Sequence, residues 1–126
     1  MKIIIQNRSN LPLYQQIKEQ MKQAIMTGDL AEGEQLPTIR ALASALHVSV
    51  LTTKKAYSEL EAEGFITTRV GKGSFVASEN PELIMESKRQ MVETKLAEAC
   101  RMAQQLGINL KELHEMMDLL FDEEED

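Results

Sequence analysis

Apolar positions along this chain change their period several times, and each change marks an element. Over residues 11–27, Tyr14, Ile17, Met21, Ala24 and Ile25 recur at helical spacing, while Lys18, Glu19, Lys22 and Gln23 take the other face. Pro12 stands near the start, where its missing N–H costs nothing, and Gly28 closes the helix. Leu30 and Leu36 flank a turn, AEGEQ, with Gly33 at its centre. A second helical pattern opens at Pro37-Thr38, with Thr38 as N-cap and Ile39, Leu42, Ala43 and Leu46 on one side. Small Ala41, Ala43 and Ala45 would let another helix approach closely. His47-Val48 makes a tight turn, and Ser49 caps a third helix that runs to about Glu63, just ahead of Gly64.

On that third helix Thr53, Ala56, Tyr57 and Leu60 follow the i, i+3, i+4, i+7 pattern of a buried face. The opposite stripe is Leu51, Lys54, Lys55 and Ser58, with Thr52 beside it. Two cations, hydroxyls and a stray apolar residue are poor core and a good groove-reading surface. The period then drops to that of strands. Phe65-Ile66-Thr67-Thr68-Arg69 and Ser74-Phe75-Val76 bracket Gly71-Lys72-Gly73, a hairpin signature. Glycines on both sides of Lys72 let the backbone come close to phosphates.

Ser78-Glu79-Asn80-Pro81 reads as a hinge. Beyond it a long amphipathic helix carries Ile84, Met91, Leu96, Ala99, Met102, Ala103 and Leu106, and ends at Gly107. Asn109 to Glu112 is a capping-box-like start for a last helix with Leu110, Leu113, Met117 and Leu120 on one side. Two helices of about 40 residues together cannot bury such stripes alone. They must pack on a second copy or on the first domain, and a symmetric dimer is expected. The fold class is mostly α with a small β-hairpin wing. A winged helix-turn-helix domain (1–78) precedes an antiparallel helical dimerisation segment with an acidic tail (79–126). The dimerisation residues are Ile84, Met91, Leu96, Met102, Leu106, Leu113, Met117 and Leu120.

Composition refines this picture. At 126 residues, 43% hydrophobic and 27% charged, the chain has globular values. No stretch is apolar enough to cross a bilayer, no signal peptide is evident, and Cys100 stands alone, so a cytoplasmic protein is expected. The net charge of −6 argues at first against nucleic acid. Its distribution reverses the argument. Residues 1–80 hold nine Lys/Arg against eight Asp/Glu, and residues 81–126 hold five against twelve. Residues 35–58 contain Arg40, Lys54 and Lys55 and no acid; residues 64–78 contain Arg69 and Lys72 and again none. A surface meeting phosphates must exclude carboxylates, and these segments do.

Two helices, a tight turn and a hairpin in that order describe a winged helix-turn-helix, whose second helix fits the major groove of DNA. The residues also resemble a known family. Leu36-Pro37-Thr38-x-Arg40-x-Leu42-Ala43, Val48-Ser49, Ala56-Tyr57-x-x-Leu60-x-x-x-Gly64-Phe65-Ile66 and Gly71-x-Gly73-Ser74-Phe75-Val76 resemble the GntR family of bacterial transcription regulators. Pro12-Leu13-Tyr14-x-Gln16-Ile17 is typical of the same family, and the short two-helix C-terminus is similar to its YtrA subfamily. The resemblance implies DNA contacts by Thr38, Arg40, Ser49, Val50, Leu51, Thr52, Lys54 and Lys55. It places the tip Gly71, Lys72 and Gly73 in the minor groove or on phosphates. Many family members carry arginine directly after the Ser49 position, where this chain has Val50. Val50 and Leu51 suit thymine methyls, which leaves Arg40 as the main guanine reader. Subfamily members are often encoded with membrane transporters.

The leading expectation is a homodimeric, sequence-specific repressor reading a pseudo-palindromic operator in double-stranded DNA. The alternative is a winged-helix protein-interaction module without DNA binding; such modules usually lose basic residues on the reading helix, and Lys54 and Lys55 remain. An enzyme lacks any nucleophile–base pair or paired carboxylates, so no catalytic residue and no cofactor is expected. His47, His114 and Cys100 are too scattered for a metal site. Gly71-Lys72-Gly73 is no nucleotide phosphate loop, because no helix follows it. The methionines, including Met85 and Met116, fit a helical interface better than a ligand pocket. An unknown small-molecule effector could still act between the C-terminal helices. The tail from Asp122 to Asp126 reads as a solubilising end.

Overall fold

The computed structural model describes residues 2–78 and 81–123. The expected hinge at Glu79-Asn80 and the last tail residues, Glu124 to Asp126, lie outside that description. In chain order the elements are α1 (Leu13–Thr27), α2 (Ile39–Leu46), α3 (Val50–Ala62), β1 (Ile66–Arg69), β2 (Gly73–Val76), α4 (Pro81–Leu106) and α5 (Leu110–Glu123). They form two compact units, Met1–Ile84 and Met85–Asp126.

In the first unit α3 is the centre: α1, α2 and β1 all pack against it. Its buried residues are Thr53, Ala56, Tyr57 and Leu60, as the spacing predicts. They meet Ile17, Met21, Ala24 and Ile25 of α1, Leu42 and Ala43 of α2, and Phe65, Ile66 and Val76 of the hairpin in one core. Each large apolar side chain removed from water there contributes about 1.5–3 kcal/mol. Ile39 and Leu46 are only half-buried, and Ala41 and Ala45 are exposed. The close helix approach expected of three alanines therefore involves Ala43 alone.

Local chemistry sets the helix ends. Thr38 and Ser49 accept hydrogen bonds from the Ala41 and Thr52 N–H groups, both at 3.0 Å, and so start α2 and α3. α2 stops at His47, which stands at φ 56° and is the one non-glycine residue at positive φ among those described. α3 stops at Gly64, φ 87°, where the Phe65 N–H returns to the Leu60 carbonyl and turns the chain into β1. The buried Tyr57 hydroxyl donates to the Pro37 carbonyl at 2.6 Å, fastening the entry of α2 to α3. Burial pushes the Tyr57 phenol up to about 12.

β1 and β2 pair antiparallel, with Ile66 opposite Val76 and Arg69 opposite Gly73. Gly73 thus belongs to the strand, and the tip is Val70-Gly71-Lys72. The segment read as a plain turn does more than turn. Gln35 bridges to Phe75, and the Leu36 and Val76 N–H groups bond to the Ser74 and Glu34 carbonyls, adding a short third rung to the wing.

Two long-range features differ from the sequence pattern. Lys18 and Lys22, assigned to the free face of α1, are half-buried against α3: Lys18 pairs with Glu59 and Glu63, and Lys22 with Glu63. Burial opposes both charges, yet their mutual hydrogen bonds outweigh it, holding Lys18 above its ordinary 10.5 and Glu63 below its ordinary 4.5. The N-terminal residues are also tied down. The Gln20 side-chain amide bonds both backbone groups of Ile4 at 2.8 Å, and that of Gln16 bonds both groups of Gln6. One helical turn matches two residues of extended chain in length, so the two glutamines act as a surrogate strand.

In the second unit Asn109 caps α5 through the Glu112 N–H at 2.9 Å. At the end of α4 Ala103 is buried and its carbonyl accepts the Ile108 N–H of the turn into α5. α5 has no buried residue.

His47→Gly is expected to stabilise the fold by about 0.5–1 kcal/mol, because the left-handed strain it relieves exceeds glycine's added chain entropy; urea denaturation measures it. Glu63 has a folded pKa below its unfolded one, so its stabilisation is complete above the unfolded value and fades as pH falls through the folded one. Thermal melts between about pH 5 and pH 3 should therefore decline more steeply for the wild type than for Glu63→Gln.

Candidate nucleic-acid interface

The buried face of α3 dictates the exposed one. Leu51 is 77% exposed, and Val50, Lys54, Lys55 and Ser58 are exposed with it. No carboxylate occurs on α3 before Glu59. Glu59 near its end and Glu63 just past it pair with Lys18 and Lys22 of α1, and Glu61 accepts a hydrogen bond from Thr68. The N-terminal half of α3 is thus free of negative charge, and of the glutamates at its other end Glu59 and Glu63 are paired with lysines.

Each site residue predicted from the sequence takes a definite place. Arg40 stands exposed in the first turn of α2, and among the described residues neither it nor Lys54 makes an ion pair. Thr38 and Ser49 spend their oxygens as caps. Ser49 also donates to the Thr52 hydroxyl at 2.8 Å, which leaves the Thr52 proton free to donate outward. Lys55 is engaged: its ammonium lies 4.0 Å from the centre of the Tyr14 ring, linking α3 to the start of α1. The free N–H groups at the starts of α2 and α3 add partial positive charge.

The wing supplies a second basic point. Lys72 is exposed and its N–H bonds to the Arg69 carbonyl at 2.9 Å, closing a turn with Gly71 at φ 76°. The Arg69 guanidinium lies 4.7 Å from the centre of the Phe75 ring, and Gln35 donates to the Lys72 carbonyl at 2.9 Å. Arg69, Gln35 and Val70 were not among the predicted contacts. Arg69 was visible as the second cation of an acid-free hairpin; Gln35 carries no local signal, because its partner lies far along the chain. Among the described residues no group of His, Cys, Asp or Glu is arranged to hold a metal ion, and no helix is long and apolar enough to cross a membrane.

An exposed helix face with cations and no carboxylate, beside a clamped basic wing, defines a winged helix-turn-helix transcription regulator. Comparison with known proteins narrows the class. The family model for bacterial regulatory proteins, gntR family, matches residues 13–76. The HTH-type transcriptional repressor YtrA of Bacillus subtilis (strain 168) is 36% identical over 113 residues, 90% of this chain and 87% of that protein. A transcriptional antiterminator from Listeria monocytogenes EGD-e has a TM-score of 0.74 at 37% identity, over 95% of this chain and 90% of its own. AraR(DBD) in complex with operator ORX1 gives a TM-score of 0.55 at 30% identity, over 61% of this chain and 96% of its own. The chain belongs to the GntR family, and its likeness to YtrA runs through the C-terminal helices as well as the winged domain.

Proposed function

We propose that the protein represses transcription in the cytoplasm as a homodimer on a pseudo-palindromic operator, acting by binding and not by catalysis. The first half of α3 enters the major groove, with Val50 and Leu51 against thymine methyls and Thr52 and Lys54 on base edges or phosphates. Arg40 reads guanine from the start of α2. Lys72 and the glycines beside it hold the wing against the minor groove, and Lys55 serves phosphates from its seat over Tyr14. The observation that carries this reading is the unpaired, carboxylate-free surface formed by Arg40, Leu51 and Lys54. Winged-helix interaction modules usually lose basic residues on this helix, and Lys54 and Lys55 remain. The operator held by AraR(DBD) in its complex supports DNA as the partner.

The dimer is argued from the second unit. Leu96, Met102, Leu106, Met117 and Leu120 are exposed in the single chain, together with Val92, Leu110, Met116, Leu119 and Phe121. Met91 and Leu113 are half-buried, as is Ile84 at the end of the first unit. So much exposed apolar surface on two helices is what an association interface looks like before its partner arrives. A second copy covers it, and the two-fold axis sets two reading helices one duplex turn, about 34–36 Å, apart.

Binding to upstream DNA of its own gene, titrated by fluorescence anisotropy at several salt concentrations, tests the DNA reading. Arg40→Ala should relax preference at one base pair by about 1–3 kcal/mol, while Lys72→Ala should weaken all sequences alike and reduce the salt slope by about one. Unchanged selectivity in the first variant, at matched salt, would remove Arg40 from its role. Sedimentation of the wild type should give a dimer at micromolar concentration, and Leu106→Asp with Leu120→Asp should give a folded monomer. A wild-type monomer would refute the pairing.

A further inference from the structure

The strand register of the wing shows which residues share one of its faces. Residues directly opposite one another, and those two places along, put their side chains on the same side of a sheet. Gln35 bridges to Phe75, Gly73 stands two residues before Phe75, and Arg69 is opposite Gly73. Gln35, Phe75, Gly73 and Arg69 therefore lie on one face. Gly73 leaves its place there empty, and the Gln35 side chain crosses it to donate to the Lys72 carbonyl at 2.9 Å. A Cβ at residue 73 would stand 3.1 Å from the Gln35 amide nitrogen, tighter than side chains ordinarily pack. The glycine expected to ease the approach of phosphates thus makes room for a hydrogen bond within the protein.

What that bond joins gives it meaning. The backbone on either side of Gln35 is held to β2, with the Leu36 N–H on the Ser74 carbonyl and the Val76 N–H on the Glu34 carbonyl. Leu36 is 4% exposed, and the Pro37 carbonyl after it accepts from the Tyr57 hydroxyl of α3. One end of the bond is thereby anchored in the core. The other end is the wing tip, Val70-Gly71-Lys72, all exposed and closed by the Lys72 N–H on the Arg69 carbonyl. A short exposed turn with one closing bond keeps conformational freedom that a bound duplex would have to remove. The Gln35 amide ties that turn to a fixed segment outside the hairpin.

We propose that Gln35 is a positioning residue for DNA binding, whose amide holds the wing tip ordered in the free protein so that Lys72 meets the duplex already in place. The inference rests on the DNA-binding reading above. Ordering a flexible element on binding weakens a complex, and an element held beforehand avoids that loss. Only the amide nitrogen of a glutamine can serve a carbonyl, so the role needs a donor of this length at residue 35. Gln35 touches neither base nor phosphate in this role; it acts on Lys72 through the backbone. The same bond makes the tip continuous with the entry of α2, where Arg40 stands.

The test uses the full-length protein and a duplex it selects from a randomised pool. Gln35→Met keeps the length of the side chain and removes the donor, while Gln35→Asn keeps the amide and falls one methylene short. Gln35 is exposed, so neither change disturbs the core. Both variants should bind the duplex about three- to tenfold more weakly, the worth of one hydrogen bond. Hydrogen exchange in the free variants should quicken at the Lys72 N–H and stay unchanged at Ala56 and Tyr57 in the middle of α3. A double-mutant cycle with Lys72→Ala separates positioning from direct contact. Because Gln35 acts through Lys72, the loss caused by Lys72→Ala should be at least about twofold smaller in the Gln35→Met protein than in the wild type. A glutamine that touched DNA itself, or served only to stabilise the fold, would give losses that multiply. Full multiplication, wild-type affinity in both variants, or unaltered exchange at Lys72 would overturn the role of Gln35 and leave DNA binding standing. Failure of the wild type to retain any duplex would overturn the DNA-binding reading, and this inference with it.

Discussion

The burial of Thr53, Ala56, Tyr57 and Leu60 sets the rotation of α3 about its own axis, and what the protein offers to a duplex follows from that setting. Successive residues step round a helix by about 100°, so each position given to the core fixes which ones face outward. Thr53 shows how firmly the choice is made. It has no exposed surface, and its hydroxyl is satisfied inside its own helix by the Ser49 carbonyl at 3.3 Å. A slip by one position would bring Lys54 into the core, where an unpaired ammonium is far too costly to keep. The same burial carries Tyr57 to the Pro37 carbonyl, so the start of α2 and the reading face of α3 are fixed by one set of contacts.

Charge is arranged as strictly as shape. A chain of net charge −6 approaches a polyanion by keeping its acids off one surface. Distance accounts for part of this, since twelve of the twenty acids lie beyond residue 80. Neutralisation accounts for another part. Lys18 and Lys22 of α1 pair with Glu59 and Glu63 at the C-terminal end of α3, and Lys22 also lies 5.0 Å from the centre of the Phe65 ring. Partial burial makes those pairs less sensitive to salt than surface bridges would be. Ionic strength then acts mainly on the contacts with DNA.

The parts legible in the sequence are those whose cause is local. Thr38, Ser49 and Asn109 announce helix starts because a cap needs only the three residues that follow it. The i, i+3, i+4, i+7 spacing on α3 announces its buried face, and glycines around Lys72 announce a hairpin. What stayed hidden depends on partners far along the chain. Lys18 meets Glu59 across 41 residues, Gln35 meets Lys72 across 37, and neither residue type signals its partner. Lys55 looked free because nothing in its own helix reveals Tyr14 above it. For the C-terminal helices the apolar stripe was readable. Its covering surface was not, and α5 has no buried residue in the single chain.

The glutamine ladder at the start of the chain changes the standing of its first residues. Gln16 is only 6% exposed, and three of its hydrogen bonds reach the backbone of Gln6 and Leu11. Shortening the chain ahead of residue 7 would remove two of those three bonds and leave Gln16 held by the Leu11 carbonyl alone, with each lost bond worth about 0.5–1.5 kcal/mol. That loss would fall on α1, the helix against which α3 is braced. The opening residues Ile4 and Gln6 are thus part of the scaffold that holds α1 in place, and alterations there would be felt far from where they are made.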